Sequence, residues 1–434
     1  MNVAVIGGGY AGMAAAVKLA AQHIPVTVFE SARQLGGRAR GVWHRDTQFD
    51  NGQHVLLGCY RHTLDLIRQV GGDIEQDFLR LPLQLTLHHR FQFKVPRLPA
   101  PLHLLTGLLT AHGLTIAQRW QAVRFIGALR RSRFRLAQDM TVLELLRAHA
   151  QGELIRLLWE PICVSALNTP IHKASAQVLL NVLRESLHGS RADSDMLLPR
   201  LDFSRLFPDR AAAFVQQHGG KVLTSCAVEE IIPRDDNMEL RTAQGTYRYS
   251  RVICAASPVA AARLFKPVPQ LASIAAQIKR MTYQPIYTVY MQYPKDVRLA
   301  LPMLGFDRCY TQWLFDRGQI SAQHGLLAAV ISAEGIHQAL DHPQLATQVA
   351  GELNEQLGIT GLPLWHQVIA EKHATFSCET DLHRPVSATP LPRLLLAGDY
   401  TQGEFPATLE GAVLSGVQCA DKILGTMRAM QAGA

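Results

Sequence analysis

Asn2-Val-Ala-Val-Ile-Gly-Gly-Gly-Tyr-Ala-Gly12 is the stretch that decides the fold. Residues 2–6 are mostly apolar and β-branched and stop at glycine, which predicts a short buried parallel strand. Gly7, Gly9 and Gly12 then satisfy G-x-G-x-x-G. The first allows a tight turn, the second lets backbone approach a pyrophosphate, and the third lets helix and strand pack closely. Tyr10 and Ala11 fill the variable positions of that motif, and Met13–Gln22 reads as an Ala- and Leu-rich helix whose N-terminus offers free N–H groups and a positive dipole end to phosphates. Pro25–Phe29 reads as a second strand, and Glu30 follows it to accept ribose hydroxyls. A glycine turn alone would be weak; the order strand, glycines, helix, strand, acid is what a dinucleotide site requires.

Outward from that unit, Leu35-Gly36-Gly37-Arg38 resembles the GG-R motif of two-dinucleotide-binding-domain flavoproteins. The resemblance implies FAD rather than NAD, with Gly37 passing close to the cofactor and Arg38 facing its pyrophosphate. Late in the chain, Leu394–Asp399 reads as a buried strand ending in Gly398-Asp399, and a helix starts within Pro406–Gly416. This pair resembles the C-terminal motif of the monoamine oxidase and phytoene desaturase superfamily. The resemblance implies that Asp399 meets the ribityl or pyrophosphate part, and that N–H groups near Gly411 and Ala412 face the isoalloxazine; a cap or turn role is the alternative for Asp399. It also places the Val228 backbone against adenine. Phe49-Asp-Asn-Gly-Gln-His54 falls where such proteins run beneath the ring, so Gln53 and His54 are expected at the cofactor. His54 contacts ring or substrate, or else is an ordinary turn histidine.

The expected fold is α/β: a discontinuous, Rossmann-like FAD domain of residues 1–75, 206–270 and 386–434, with an α+β substrate domain from 76–205 and 271–385. The first insertion reads as largely helical. The second alternates at Tyr283–Gln292 and Leu326–Ile331, which predicts antiparallel sheet.

The chain of 434 residues is 48% hydrophobic and 18% charged, the balance of a folded globular protein. Its seven cysteines form no C-x-x-C pair, so no metal site is expected and the thiols read as reduced and cytosolic. The N-terminal apolar run is too short for a signal peptide, and no stretch of about 18 apolar residues predicts a membrane span. The net charge of +8 is unevenly spread: Phe78–Gln138 holds ten Lys or Arg, from Arg80 to Arg135, and no acid. Such a span, with apolar Pro99–Thr110 inside it, suits docking on an anionic membrane surface; a core hairpin with a solvated basic face is the plain alternative. Nucleic acid fits poorly, because no recognition motif accompanies the charge.

Four segments are similar to the hydroxysqualene dehydroxylases, the squalene-associated FAD-dependent desaturases of hopanoid biosynthesis: Phe49–Tyr60, Trp159–Pro170, Ser194–Phe207, and Ala397–Thr401 with Phe405–Ala412. Leu409 stands where family members carry Ile. The resemblance implies reductive removal of the hydroxyl of hydroxysqualene, a C30 isoprenoid alcohol, to give squalene. It also implies upstream squalene-pathway enzymes as possible partners and a cytoplasmic protein on the inner membrane face. His54 is the candidate proton donor. A phytoene-type desaturase is the nearest alternative, and an amine oxidase or a non-enzymatic prenyl-binding protein lies further off.

Overall fold

A computed structural model describes residues 1–149, 152–187 and 189–432, the side chains of 430–432 excepted; the last two residues of the expected 386–434 segment lie outside it. Five parallel strands form the nucleotide sheet, in the order Lys221–Leu223, Val26–Phe29, Val3–Ile6, Arg251–Cys254, Leu394–Leu396. Val3–Ile6 is buried at every residue because both faces of the sheet are covered. Val3 and Val5 pack toward the helices Tyr10–Ala20 and Leu409–Ala432. Ala4 and Ile6 point to the other core, where Phe29 meets Tyr247 and Tyr249 of the three-stranded meander spanning Val228–Tyr249.

Two glycines set this packing. A β-carbon on Gly12 would lie 1.9 Å from the Gly7 carbonyl oxygen, and one on Gly416 would lie 2.0 Å from that of Ala11. Neither helix could then approach its neighbour as closely.

The second sheet has seven strands, ordered Trp365–Phe376, Tyr283–Gln292, Leu326–Ser332, Trp313–Asp316, Met303–Gly305, Gln84–Leu87, Phe91–Lys94. Its neighbours are antiparallel except at Gly305 and Leu87. Leu326–Ser332 is buried throughout, and helix His342–Leu357 sends Leu345, Val349 and Leu353 into the core on one face. Helices between Leu102 and Leu187 build a further layer.

The insertion 76–205 is largely helical, with four short strands that the helical reading did not include. Phe78–Leu81, Gln84–Leu87, Phe91–Lys94 and Met196–Pro199 are strands. Leu85, Leu87, Phe91 and Phe93 are buried while Gln92 and Lys94 are exposed, a period of two that the flanking helical pattern obscures. Conversely, the proline- and glycine-broken stretch contains a helix, Leu102–Leu109. Gly107 sits inside it because a β-carbon there would come within 3.0 Å of the Phe93 ring.

Candidate flavin site

At the C-terminal edge of the nucleotide sheet the glycines make a narrow cradle. Gly7 has φ +108°, and a β-carbon on it would meet the Ala255 carbonyl oxygen at 2.6 Å. Gly36 donates its N–H to the Gly8 carbonyl at 2.9 Å, which lays the second glycine motif beside the first. A β-carbon on Gly9 would find only Gly37 Cα at 3.8 Å and Gly36 O at 3.9 Å. The protein therefore leaves room at Gly9 that it does not leave at Gly12, as backbone contact with a phosphate requires. The residues present fit a flavin dinucleotide.

Glu30 is buried at the end of its strand. Its carboxylate accepts from the Gly8 N–H at 2.7 Å and the Ala32 N–H at 2.8 Å, so it also ties the glycine turn to the second strand. Cys226 donates its N–H to the Glu30 carbonyl, and Ser225 donates to that of Ala32, which brings buried Val228 toward the same end of the site.

Arg38 joins the two ends of the chain. It donates to Asp399 Oδ1 at 2.5 Å and to the Ala374 carbonyl at 2.8 Å. Burial by itself would lower the Arg38 pKa, but the Asp399 carboxylate raises it overall, so the guanidinium stays charged. Asp399 is thus an ion-pair partner here, and no helix cap. Gly398 has φ +149° against the Tyr400 ring and donates its N–H to Ser415 Oγ at 2.8 Å. At the start of the last helix, Gly411 donates to Thr408 Oγ1 at 3.1 Å and Ala412 to the Thr408 carbonyl at 3.0 Å. Those two N–H groups, expected to face the ring, are spent on the helix cap, and the dipole remains as the helix's contribution.

The loop after Thr47–Asp50 is fixed from three sides. Phe203 donates its N–H to Asp50 Oδ1 at 2.7 Å, Tyr290 donates its hydroxyl to the Asp50 carbonyl at 2.9 Å, and Arg317 donates to Gln53 Oε1 at 3.1 Å. His54 packs its ring 4.7 Å from that of Phe203, with Nδ1 2.6 Å from the Gly52 carbonyl. A carbonyl only accepts, so the proton sits on Nδ1 and Nε2 presents a lone pair. Burial pushes the His54 pKa down to about 4, the Gly52 contact opposing and Arg38 assisting. The neutral imidazole expected as a proton donor therefore has an acceptor, not a proton, at Nε2.

Several residues at or near the site were not singled out from the sequence. Glu410, within the matched C-terminal segment, is buried and accepts from the N–H groups of His62 and Thr63 and from both their side chains, closing the N-terminus of helix Arg61–Gln69. Asn168, at φ +46°, donates to the Pro285 carbonyl and Thr375 Oγ1 and accepts from the Ala333 N–H, clamping three segments of the large sheet. Arg384 donates to the carbonyls of Asp399, Gly403 and Phe405 and holds that loop. A lone Arg or Asn in sequence gives no hint of such carbonyl ties. Among the described residues no cluster of His, Cys, Asp or Glu could hold a metal ion.

The family model for flavin containing amine oxidoreductase matches residues 10–424. The chain is 28% identical to the hydroxysqualene dehydroxylase of Rhodopseudomonas palustris, over 99% of each chain. It is 23% identical to the zeta-carotene desaturase of Synechocystis sp., again over 99% of each. An oxidoreductase from Methanosarcina mazei has the same fold, with a TM-score of 0.76 over 97% of this chain and all of that one, at 15% identity. The glycine cradle and the match over nearly its whole length place the chain in the flavin-containing amine oxidoreductase family, as a flavin-dependent oxidoreductase.

Proposed function

We propose that the protein uses FAD to replace the hydroxyl of hydroxysqualene with hydrogen, giving squalene. The observation that carries this reading is full-length similarity to hydroxysqualene dehydroxylases. A reduced flavin supplies hydride when bound, and the chain must hold it, hold a C30 hydrocarbon and keep water away. Gly7, Gly9, Tyr10, Ala11, Gly12 and Glu30 take the adenosine and phosphate half, with Val228 at adenine. Gly37, Arg38, Gly398, Asp399 and the helix start at Gly411–Ala412 take the rest, and Gln53 and His54 lie toward ring and substrate. Residues 1–75, 206–270 and 386–434 act as the cofactor unit and the two insertions as the substrate unit.

The hydrocarbon reaches the site from a membrane. Leu98, Leu102, Leu105, Ile116 and Trp120, five exposed large apolar side chains, fall within one stretch of 23 residues. That stretch lies in the acid-free span, whose Arg90, Lys94, Arg97, Arg124, Arg131, Arg133 and Arg135 are exposed. Arg80 pairs with Asp195, while Arg119 and Arg130 donate to the carbonyls of Leu109 and Leu187, so these three belong to the fold. No described helix is long and apolar enough to cross a bilayer, and the proposal is surface docking on the anionic inner face.

Similarity to zeta-carotene desaturases favours a second reading, oxidative desaturation of a carotenoid-type substrate. Anaerobic single turnovers separate the two. Reduced holoenzyme with hydroxysqualene yields squalene as the flavin reoxidises under the first reading. Squalene formed equally fast with oxidised FAD and no reductant refutes hydride transfer, and reduction of oxidised holoenzyme by phytoene or zeta-carotene selects the second reading.

A further inference from the structure

Asp50 differs from the other buried carboxylates of the site. Asp399 has Arg38, and Glu410 has four donors. Asp50 is fully buried, its Oδ1 accepts from the Phe203 N–H, and its Oδ2 meets no hydrogen-bond partner. Phe203 holds it by its N–H, and Tyr290, stacked on the neighbouring Phe49 at 4.2 Å, donates its hydroxyl to the Asp50 carbonyl. Arg317, the cation that acts on it, gives its hydrogen bonds to Gln53 and Gln323.

An ionised carboxylate here would hold an unpaired charged oxygen away from water, and such groups take up a proton instead. The groups facing it are Arg317 from helix Arg317–Ser321, Asp202 from the turn before Phe203, Tyr290 from its strand, and Tyr10 from the first helix. Burial raises the Asp50 pKa to about 7; Arg317 and the Phe203 N–H oppose this, and Asp202 adds to it.

We propose that Asp50 is kept protonated in the resting enzyme and is the proton store for the leaving hydroxyl, acting through the adjoining Gly52–His54 segment. The inference rests on the reductive reaction proposed above. The carboxyl O–H breaks, its proton goes to the substrate hydroxyl, and the C–O bond breaks with both electrons leaving on water. The new C–H bond forms with the hydride that a reduced flavin supplies; the substrate is reduced by two electrons and the flavin oxidised by two. Asp50 is reprotonated from solvent before the next turnover. Because Asp50 is enclosed, it is a proton-supplying and positioning residue, not one in contact with substrate.

The test uses FAD-loaded full-length protein. Asp50→Asn keeps an oxygen to accept the Phe203 N–H and nearly the same volume, and retention of the flavin spectrum reports that the site has formed. In infrared difference spectra, wild type below about pH 6 should show a carboxylic-acid C=O band that Asp50→Asn lacks and that fades toward about pH 8. In anaerobic single turnovers with hydroxysqualene, Asp50→Asn should slow squalene formation on the order of 100-fold and lose the wild-type decline above about pH 7. Asp50→Glu should restore part of the rate and the pH dependence. If Asp50→Asn removes no carboxylic-acid band, or turns over with the wild-type rate and pH profile, the proposal is wrong. If wild type itself makes no squalene, the reductive reading fails, and the infrared measurement still decides the protonation of Asp50.

Discussion

Four exposed apolar side chains in the acid-free span give the membrane proposal a measurable size. Leu102 is 49% exposed, Leu105 38%, Ile116 73% and Trp120 53%. Fully burying a side chain of this kind is worth about 1.5–3 kcal/mol, so burying the half still open is worth roughly 1 kcal/mol each. Replacing all four by Gln removes about 4 kcal/mol at most. With incomplete insertion a loss of about 2–3 kcal/mol is expected, a fall of roughly 30- to 150-fold in vesicle affinity. Leu102 and Leu105 are exposed on a helix whose His103, Leu104, Gly107 and Leu108 are buried, and Ile116 and Trp120 are exposed on helix Ile116–Arg131, whose Ala122, Phe125 and Leu129 are buried, so the variant should fold and keep its flavin. A second variant, Arg124, Arg131, Arg133 and Arg135 to Gln, tests the charges at about 1 kcal/mol apiece before salt screening. Arg130 is left in place because it donates to the Leu187 carbonyl. The assay is sedimentation with phosphatidylglycerol or phosphatidylcholine vesicles at low and moderate salt. The Gln-for-apolar variant should lose binding that moderate salt leaves in wild type. The Gln-for-Arg variant should lose the preference for the anionic lipid. Equal sedimentation of wild type and both variants would refute docking through this span.

Gly9→Val and Gly12→Val should fail differently. At Gly9 the nearest protein atom to a new β-carbon is 3.8 Å away, so the chain should fold and purify without flavin; at Gly12 the Gly7 carbonyl at 1.9 Å should leave little soluble protein. FAD should be non-covalent, since residues 396–416 contain no cysteine, and denaturation of wild type should release all of it to the supernatant. Glu410→Ala removes four accepted hydrogen bonds and a buried cap, at a cost of roughly 3 kcal/mol seen as a lower denaturation midpoint. The Glu410 hydrogen bond holds the His62 pKa up, with burial opposing. Its stabilising part is complete below the unfolded histidine pKa and is lost as pH rises through the folded value, and Glu410→Ala should abolish that slope. His54, pushed down to about 4, works the other way: the unfolded chain binds a proton that the folded chain refuses, so stability falls as pH drops below about 6.5, and His54→Phe should flatten that fall.

The elements that sequence made legible are those whose physics is local. Gly7, Gly9 and Gly12 are fixed by the turn and the helix they open, and Val3–Ile6 by being apolar on both faces. The antiparallel strands Tyr283–Gln292 and Leu326–Ser332 were legible as strands, although their burial does not alternate as expected: the first is largely and the second wholly buried. The strands between Phe78 and Lys94 were hidden because each covers four residues, too few to outweigh the helical pattern around them. The role of Gly107 was hidden for another reason: its meaning lies in the Phe93 ring across the packing interface. Charge reading overstated the free cations, since Arg80, Arg119 and Arg130 are engaged by Asp195 and by two carbonyls, partners that spacing does not disclose.

The same distinction explains why the candidate proton donor moves from His54 to Asp50. Histidine in a glycine-containing loop is the natural choice from residue type alone, because its ordinary pKa lies near neutrality. What decides the matter is enclosure, and enclosure is built by distant chain. Phe203, which covers both residues, is itself held by the Tyr10 hydroxyl from the first helix, donated to its carbonyl at 2.9 Å. Tyr290 closes the other side from the second sheet, 240 residues from Asp50. Burial drives the two groups in opposite directions: an imidazole loses its proton and a carboxyl keeps one. The pH at which the acid is spent is therefore set jointly by three parts of the chain. Loosening the Tyr10–Phe203 contact, as in Tyr10→Phe, should admit water, lower the Asp50 pKa and move the high-pH decline of the single-turnover profile to lower pH. An unshifted profile in a Tyr10→Phe variant that retains flavin would show that Phe203 does not control the enclosure.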